Sequence, residues 1–192
     1  MESGALVDYR GYTDRLKAAL DSVDSAKVDE AVGIILGARN KNIFIFGNGG
    51  SGTTASHSAC DFNKTVSDGL DDRFTFKCLN DSVPMIMAVS NDIGYDEIFR
   101  FQLTNKLRKD DVVIALSSTG NSENVIKALD YAKKAGAKII TLTGYDGGEM
   151  KGMADCPIHV SIDNMQMAED SHLTIMHTIA TIIANRLGTK MC

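Results

Sequence analysis

Proline is scarce, with two residues in 192, and no proline-rich or low-complexity linker divides the chain. With no compositional break and 44% hydrophobic residues, the expectation is one domain over 1–192 around one ordinary core. Cysteine is sparse too: Cys60, Cys78, Cys156 and Cys192 are scattered without C-x-x-C spacing. No N-terminal stretch has the charged-then-apolar layout of a signal peptide, so reduced thiols in a cytoplasmic protein are the reading. Basic runs are missing: 20 Lys and Arg stand against 25 Asp and Glu, a formal charge of −5. That balance excludes the polyanion footprint of a nucleic-acid or anionic-membrane binder, so an anionic ligand must be held locally. No apolar stretch approaches the ~20 residues of a membrane span.

What is present is an alternation of short apolar runs and longer amphipathic stretches. Leu6, Tyr9, Tyr12, Leu16, Leu20 and Val23 recur at three and four, and Val28, Val32, Ile35 and Leu36 repeat the pattern after a break at Ser25. An N-terminal helical segment, 1–40, therefore precedes an α/β core, 41–192. Strands are expected at IFIF (43–46), RFTFKCL (73–79), DVVIAL (111–116), AKIITLT (137–143) and CPIHVSI (156–162). Helices are expected from about Thr53, after Pro84, over 95–107, over NVIKALDYAKKAGA and over 165–187. Strands separated by helices of this length imply a parallel sheet covered on both faces.

Two loops stand where such a sheet binds ligands, beyond the carboxyl ends of strands. GNGGSG (47–52) follows the first strand and packs four glycines into six residues. Glycine permits positive φ and close backbone approach to an anion at a helix N-terminus, and Ser51 adds a hydroxyl. Gly47, Gly49 and Gly52 also satisfy G-x-G-x-x-G, the dinucleotide fingerprint. Against NAD, two helices precede the first strand, and Asp71 and Asp72 come before the second strand rather than at its end. SSTGNSEN (117–124) offers Ser117, Ser118, Thr119 and Ser122 around one glycine, with Glu123 and Asn124 opening a helix. Four hydroxyls suit a compact phosphate held without lysine; helix capping is the plain alternative. Two such loops favour the ligand.

These loops belong to a wider set of motifs. GNGGS followed by His57 and Asp61, SNDIGYDEIF (90–99), the SSTGNS loop, LTGYDGGEM (142–150) and EDSHLTIMH near the end together resemble the SIS-domain phosphosugar isomerases, most closely the phosphoheptose isomerases. The resemblance implies a flavodoxin-like three-layer sandwich with a five-stranded parallel sheet. It implies a homotetramer around a helical bundle, with active sites shared between subunits. Carried over residue by residue, it sets Ser51, Ser117, Ser118, Thr119 and Ser122 on the phosphate, with the backbone of Gly49 and Gly50, and Asn48 and Asp92 near the sugar. His57, Asp61, Glu169 and His177 fall at the metal and acid/base positions, Asp61 as base and His177 as acid, with one Zn²⁺ per site. The implied activity is conversion of sedoheptulose 7-phosphate, or a related ketose phosphate, to the aldose through an enediol. Such a reaction needs a carboxylate and an imidazole to relay protons. His57 and Asp61, four apart, share a helix face, and Glu169 and His177, eight apart, lie within about one quadrant of theirs.

Several positions depart from that pattern. The base is Asp61 where the family has glutamate, Glu169 replaces glutamine, Thr65 stands where an arginine grips substrate, and Gln166 replaces an aspartate. The phosphate end is kept and the sugar end rewritten, which leaves room for a different sugar phosphate. The competing function is a non-catalytic module of the replication-initiator-associating type, which lacks the catalytic acid; the carboxylate at 61 favours the enzyme. His172, about 140° around the helix from His177, is read as supporting the site or an interface rather than as a ligand. His159 is read as structural, and Met150, Met153, Met165, Met167 and Met176 as packing.

Overall fold

The computed structural model describes residues 8–189; Leu6 and Cys192 lie outside them. The five apolar runs form strands β1 (Asn42–Gly47), β2 (Thr75–Cys78), β3 (Val112–Ser117), β4 (Lys138–Thr143) and β5 (Cys156–His159). All pair in parallel, in the order β2-β1-β3-β4-β5. Parallel neighbours require long crossovers, and helices supply them. Because side chains alternate along a strand, each strand feeds two cores. Ile43, Ile45, Ile114, Leu116, Ile140 and Leu142 pack beneath α1 (Tyr9–Asp21), α2 (Ser25–Leu36), α3 (Gly49–Cys60) and α8 (Met165–Leu187). Phe44, Phe46, Val113, Ala115 and Ile139 pack beneath α4 (Val83–Asp92), α5 (Ile98–Leu103), α6 (Glu123–Ala135) and α7 (Gly148–Met153). The result is the expected three-layer sandwich preceded by helices.

The Ser25 break is a cap: Asp24 accepts from the Ala26 amide at 2.9 Å and starts α2. Boundaries differ from the sequence reading at four main places, one being β5, which stops at His159, three residues short of its expected end. Strand β2 is shorter because the Phe74 amide donates to Ser67 Oγ at 2.9 Å. The helix expected over 95–107 is a 3₁₀ turn (Tyr95–Glu97) and α5, which stops at Leu103 before Asn105 turns left-handed at φ +60. Helix α3 begins at Gly49, four residues before Thr53, so the glycine loop is itself the first turn.

At the end of α3 the helix widens into one π-helical turn, Asp61–Val66. Its Phe62 is fully buried, stacked on Phe76 with ring centroids 4.2 Å apart and edge-on to Phe74 at 5.7 Å. Ser67 Oγ donates back to the Phe62 carbonyl at 2.7 Å and closes the turn. Such turns concentrate at functional positions because they rotate the following side chains off the α-helical register. Asp61 is the first residue of this one.

Candidate active site

The chain order reverses between β1 and β3: α3 leaves β1 on one face and α6 leaves β3 on the other. A crevice opens at such a switch point, and here both ligand loops meet in it. Gly47 pairs with Leu116, and a Cβ on Gly47 would lie 2.7 Å from the Leu116 carbonyl oxygen. Across the crevice Asn48 and Asn124 exchange amide hydrogen bonds, each 2.9 Å, and Tyr95 Oη donates to Asn48 Oδ1 at 3.0 Å. Asn80, beyond β2, donates to the Gly47 carbonyl at 2.7 Å and accepts from its amide at 3.3 Å.

The hydroxyl loop is braced from behind. Ser117 Oγ lies 3.1 Å from Ser122 Oγ and accepts from the Gly120 amide at 3.2 Å. Gly120, at φ +69, is backed by the next loop so closely that a Cβ would sit 2.1 Å from the Gly147 carbonyl oxygen. Gly144 donates to the Ser118 carbonyl at 2.8 Å, and Glu149 to Asn121 Oδ1 at 3.0 Å. The LTGYDGGEM stretch is thus the buttress of the hydroxyl loop. Ser51, Ser117 and Ser118 are buried, Ser122 half-buried and Thr119 exposed.

The second part of the site joins distant segments. His57 and Asp61 come from the end of α3 and its π turn, and His177 from α8. The two Nε2 atoms face each other at 2.9 Å, and Asp61 Oδ2 is 3.4 Å from His57 Nε2 and 3.5 Å from His177 Nε2. Two imidazole nitrogens and a carboxylate oxygen, all within 4.8 Å of one another, form a donor set that could hold a metal ion. Asp61 is mostly covered and the histidines are about half exposed, with side chains 19%, 50% and 44% accessible.

Glu169 stands apart from this trio. Eight residues along a helix are about 12 Å of rise, so Glu169 meets the start of α3 while His177 meets its end. A Cβ on Gly50 would meet the Glu169 carboxylate, which would have to swing away to make room. It lines an open cleft of ≈ 400 Å³ with Gly50, Thr53, Thr54, His57 and Leu173. Burial, and next the charge of Asp170, raise its pKa above the ordinary carboxylate value. Of the four residues expected from the sequence to hold a metal, His57, Asp61 and His177 thus bring their donor atoms together, while Glu169 lines the cleft with His57 beside Gly50.

Asp92 ends α4, exposed, its carboxylate accepting from Asn91 Nδ2 at 2.7 Å. The crevice residue from that segment is Tyr95, which lies within the SNDIGYDEIF motif but carries no assigned role in the sequence reading. Asn80 and Asn124 were equally unassigned; a lone asparagine past a strand end gives no periodic signal. His172 is fully buried rather than at an interface, and neither ring nitrogen has a partner among the described residues. Burial pushes its pKa down to about 4, an effect the Thr143 backbone partly offsets. Burial pushes the Cys78 thiol up to about 12 and Cys156 to about 11, so both stay protonated and inert. At the dinucleotide position past β2, Asn80 binds the Gly47 backbone, while Asp71 and Asp72 lie at the opposite end of the sheet.

Comparison with known proteins agrees with this geometry. A family model described as SIS domain matches residues 8–144. The phosphoheptose isomerase of Helicobacter pylori (strain P12) is 31% identical over 187 residues, covering 95% of each chain. That of Chlorobium phaeobacteroides is 33% identical over 190 residues, covering 95% of this chain and 83% of its own. Among solved structures, the phosphoheptose isomerase of Neisseria gonorrhoeae superposes with a TM-score of 0.83 at 25% identity, covering 92% of this chain and 95% of that one. The enzyme of Francisella tularensis gives 0.82 at the same identity and coverages. The crevice between two strand-end loops, the His–Asp–His cluster beside it and these likenesses converge: the chain belongs to the SIS-domain family, among the phosphoheptose isomerases.

Proposed function

We propose that the chain is an aldose–ketose isomerase that converts sedoheptulose 7-phosphate to D-glycero-D-manno-heptose 7-phosphate through an enediol. The observation that carries the reading is the meeting of Asp61 with His177 at 3.5 Å, from segments 116 residues apart, on the α3–α8 seam. A binding module has no use for that carboxylate, and the non-catalytic reading is not favoured.

Ser117, Ser118, Thr119 and Ser122 donate hydroxyls to the terminal phosphate, with Ser51 and the Gly49 and Gly50 amides beside it. Asn48 is held by Asn124 and Tyr95 and orients the sugar hydroxyls. Asp61 takes a proton from C1 while His177 protonates the C2 oxygen, giving the enediol. Returning the carbon-bound proton to C2 as the C1 hydroxyl loses its own completes the aldose. His57, Asp61 and His177 would hold Zn²⁺ by one donor atom each, leaving the second Asp61 oxygen to move the proton. The ion when bound polarises the carbonyl and diol oxygens.

The assembly is a homotetramer with sites at subunit interfaces. Support comes from the openness of the two histidines and from Val83, Met87 and Ile93, 57%, 66% and 56% exposed on and just after α4. A cytoplasmic setting is supported by free Cys60, Cys78 and Cys156. No helix among the described residues is long and apolar enough to cross a membrane.

The test supplies sedoheptulose 7-phosphate with and without Zn²⁺ and follows aldose formation. Turnover is expected in the wild type, with bound zinc lost from His57→Ala and His177→Ala by elemental analysis. Unchanged turnover in Asp61→Ala would refute the base assignment.

A further inference from the structure

A cleft of ≈ 890 Å³ lies at the other end of the sheet from the isomerase crevice. Arg39 and Lys41 enter it from the turn before β1, Arg73 and Lys77 from either end of the β2 segment, and Lys106, Arg108 and Lys109 from the turn before β3. Among the described residues, none of these seven cations forms an ion pair within 4 Å, whereas Lys27, Lys127, Lys138, Arg15, Arg100 and Arg186 all do. In a chain of net charge −5, over a third of the 20 basic residues therefore gather, uncompensated by ion pairing, in one concavity.

Four carboxylates share the cleft, but they do not quench it. Asp111 is buried and occupied: it accepts from the amides of Asn42 at 3.1 Å and Arg108 at 2.9 Å, and from Asn42 Nδ2 at 3.4 Å. Its role is to tie the two basic turns together, which holds cations from different segments in one concavity. Asp71, Asp72 and Asp110 are exposed, and Arg39 is held by the Asp72 backbone carbonyl at 3.1 Å rather than by a carboxylate. Lys77 is further fixed over the Phe44 ring, 5.6 Å from its centroid.

We infer that this cleft is a second binding site, for a small metabolite carrying two or more phosphoryl groups. The convergence of guanidinium and ammonium groups matches a compact, highly charged anion. No aromatic side chain lines the cleft to stack a base, and the net negative chain repels an extended polyanion, so nucleic acid is not the occupant. The crevice at the far end offers hydroxyls and no lysine, which on the proposed function suits a single phosphate; a polyphosphoryl group calls for the opposite chemistry. Strands β1 and β3 join the two sites, six residues or about 20 Å apart.

Titration calorimetry of the full chain with inorganic tripolyphosphate tests the site, with orthophosphate and a single-stranded oligonucleotide as controls. Saturable tripolyphosphate binding is expected, weakened about tenfold or more by Lys41→Gln/Lys106→Gln or by Arg73→Gln/Lys109→Gln, all solvent-exposed positions. Ser117→Ala/Ser118→Ala, in the isomerase crevice, is expected to leave it unchanged. No saturable binding, binding lost in the serine variant but kept in the cleft variants, or tighter binding of the oligonucleotide would each overturn the inference.

Discussion

The hydroxyl loops and the His–Asp–His cluster are built by different means. The loops are local: strand, glycine or serine turn and helix follow one another in the chain, and many donors share one load. The cluster is long-range: three side chains from two helices converge to within 3.5 Å, and the proposed reaction gives them distinct tasks. Redundant neutral donors tolerate the loss of one member, whereas a proton relay does not.

The sharpest test removes the relay. Asp61→Ala is expected to lower kcat about 10²- to 10⁴-fold with KM little altered, measured by steady-state isomerisation. A smaller fall in kcat than the loop variants produce would erase the distinction between the two regions.

Acid should strike the cluster side next, because α8 carries His172 five residues before His177. Folded His172 is neutral down to about pH 4, while the unfolded ring takes a proton near 6.5. The unfolded chain therefore binds more protons between these values, and stability falls by up to about 3 kcal/mol as pH drops through them. Urea midpoints at pH 7.5 and pH 4.5 check this, and His172→Leu should flatten the difference.

The loops respond to backbone rather than side-chain change. Gly120→Ala forces an L side chain into φ +69 against the Gly147 carbonyl, for an expected loss of at least about 2 kcal/mol by thermal denaturation. Ser118→Ala deletes one of several hydroxyls and should raise KM about 5- to 10-fold, the worth of one hydrogen bond of about 1 kcal/mol, with kcat kept. A hundredfold effect on KM would show that the loop is not redundant.

The same division governs what could be read in advance. Strand positions were legible because buried parallel strands are unbroken apolar runs, and the 165–187 helix matched Met165–Leu187. Boundaries failed where a side chain competed with the backbone, as at Ser67 beside β2, or where glycines joined a helix, as in α3. The motif match named His57, Asp61, Glu169 and His177 together, but an angle around a helix says nothing of the ~12 Å along it that separates Glu169 from His177. Asn80, Tyr95 and Asn124 escaped because each acts only through a partner brought close by the fold.

Order along the chain, then, sufficed for whatever arises between near neighbours: the alternation of strand and helix, both ligand loops and their family. Pairing β1 with β3 put those loops into one crevice, packing α8 against α3 delivered His177 to Asp61, and the turns before β1 and β3 gathered the basic cleft around Asp111. Periodicity records which face of an element is buried. Which element it is buried against depends on contacts from about 70 to more than a hundred residues apart, which leave no trace in local pattern.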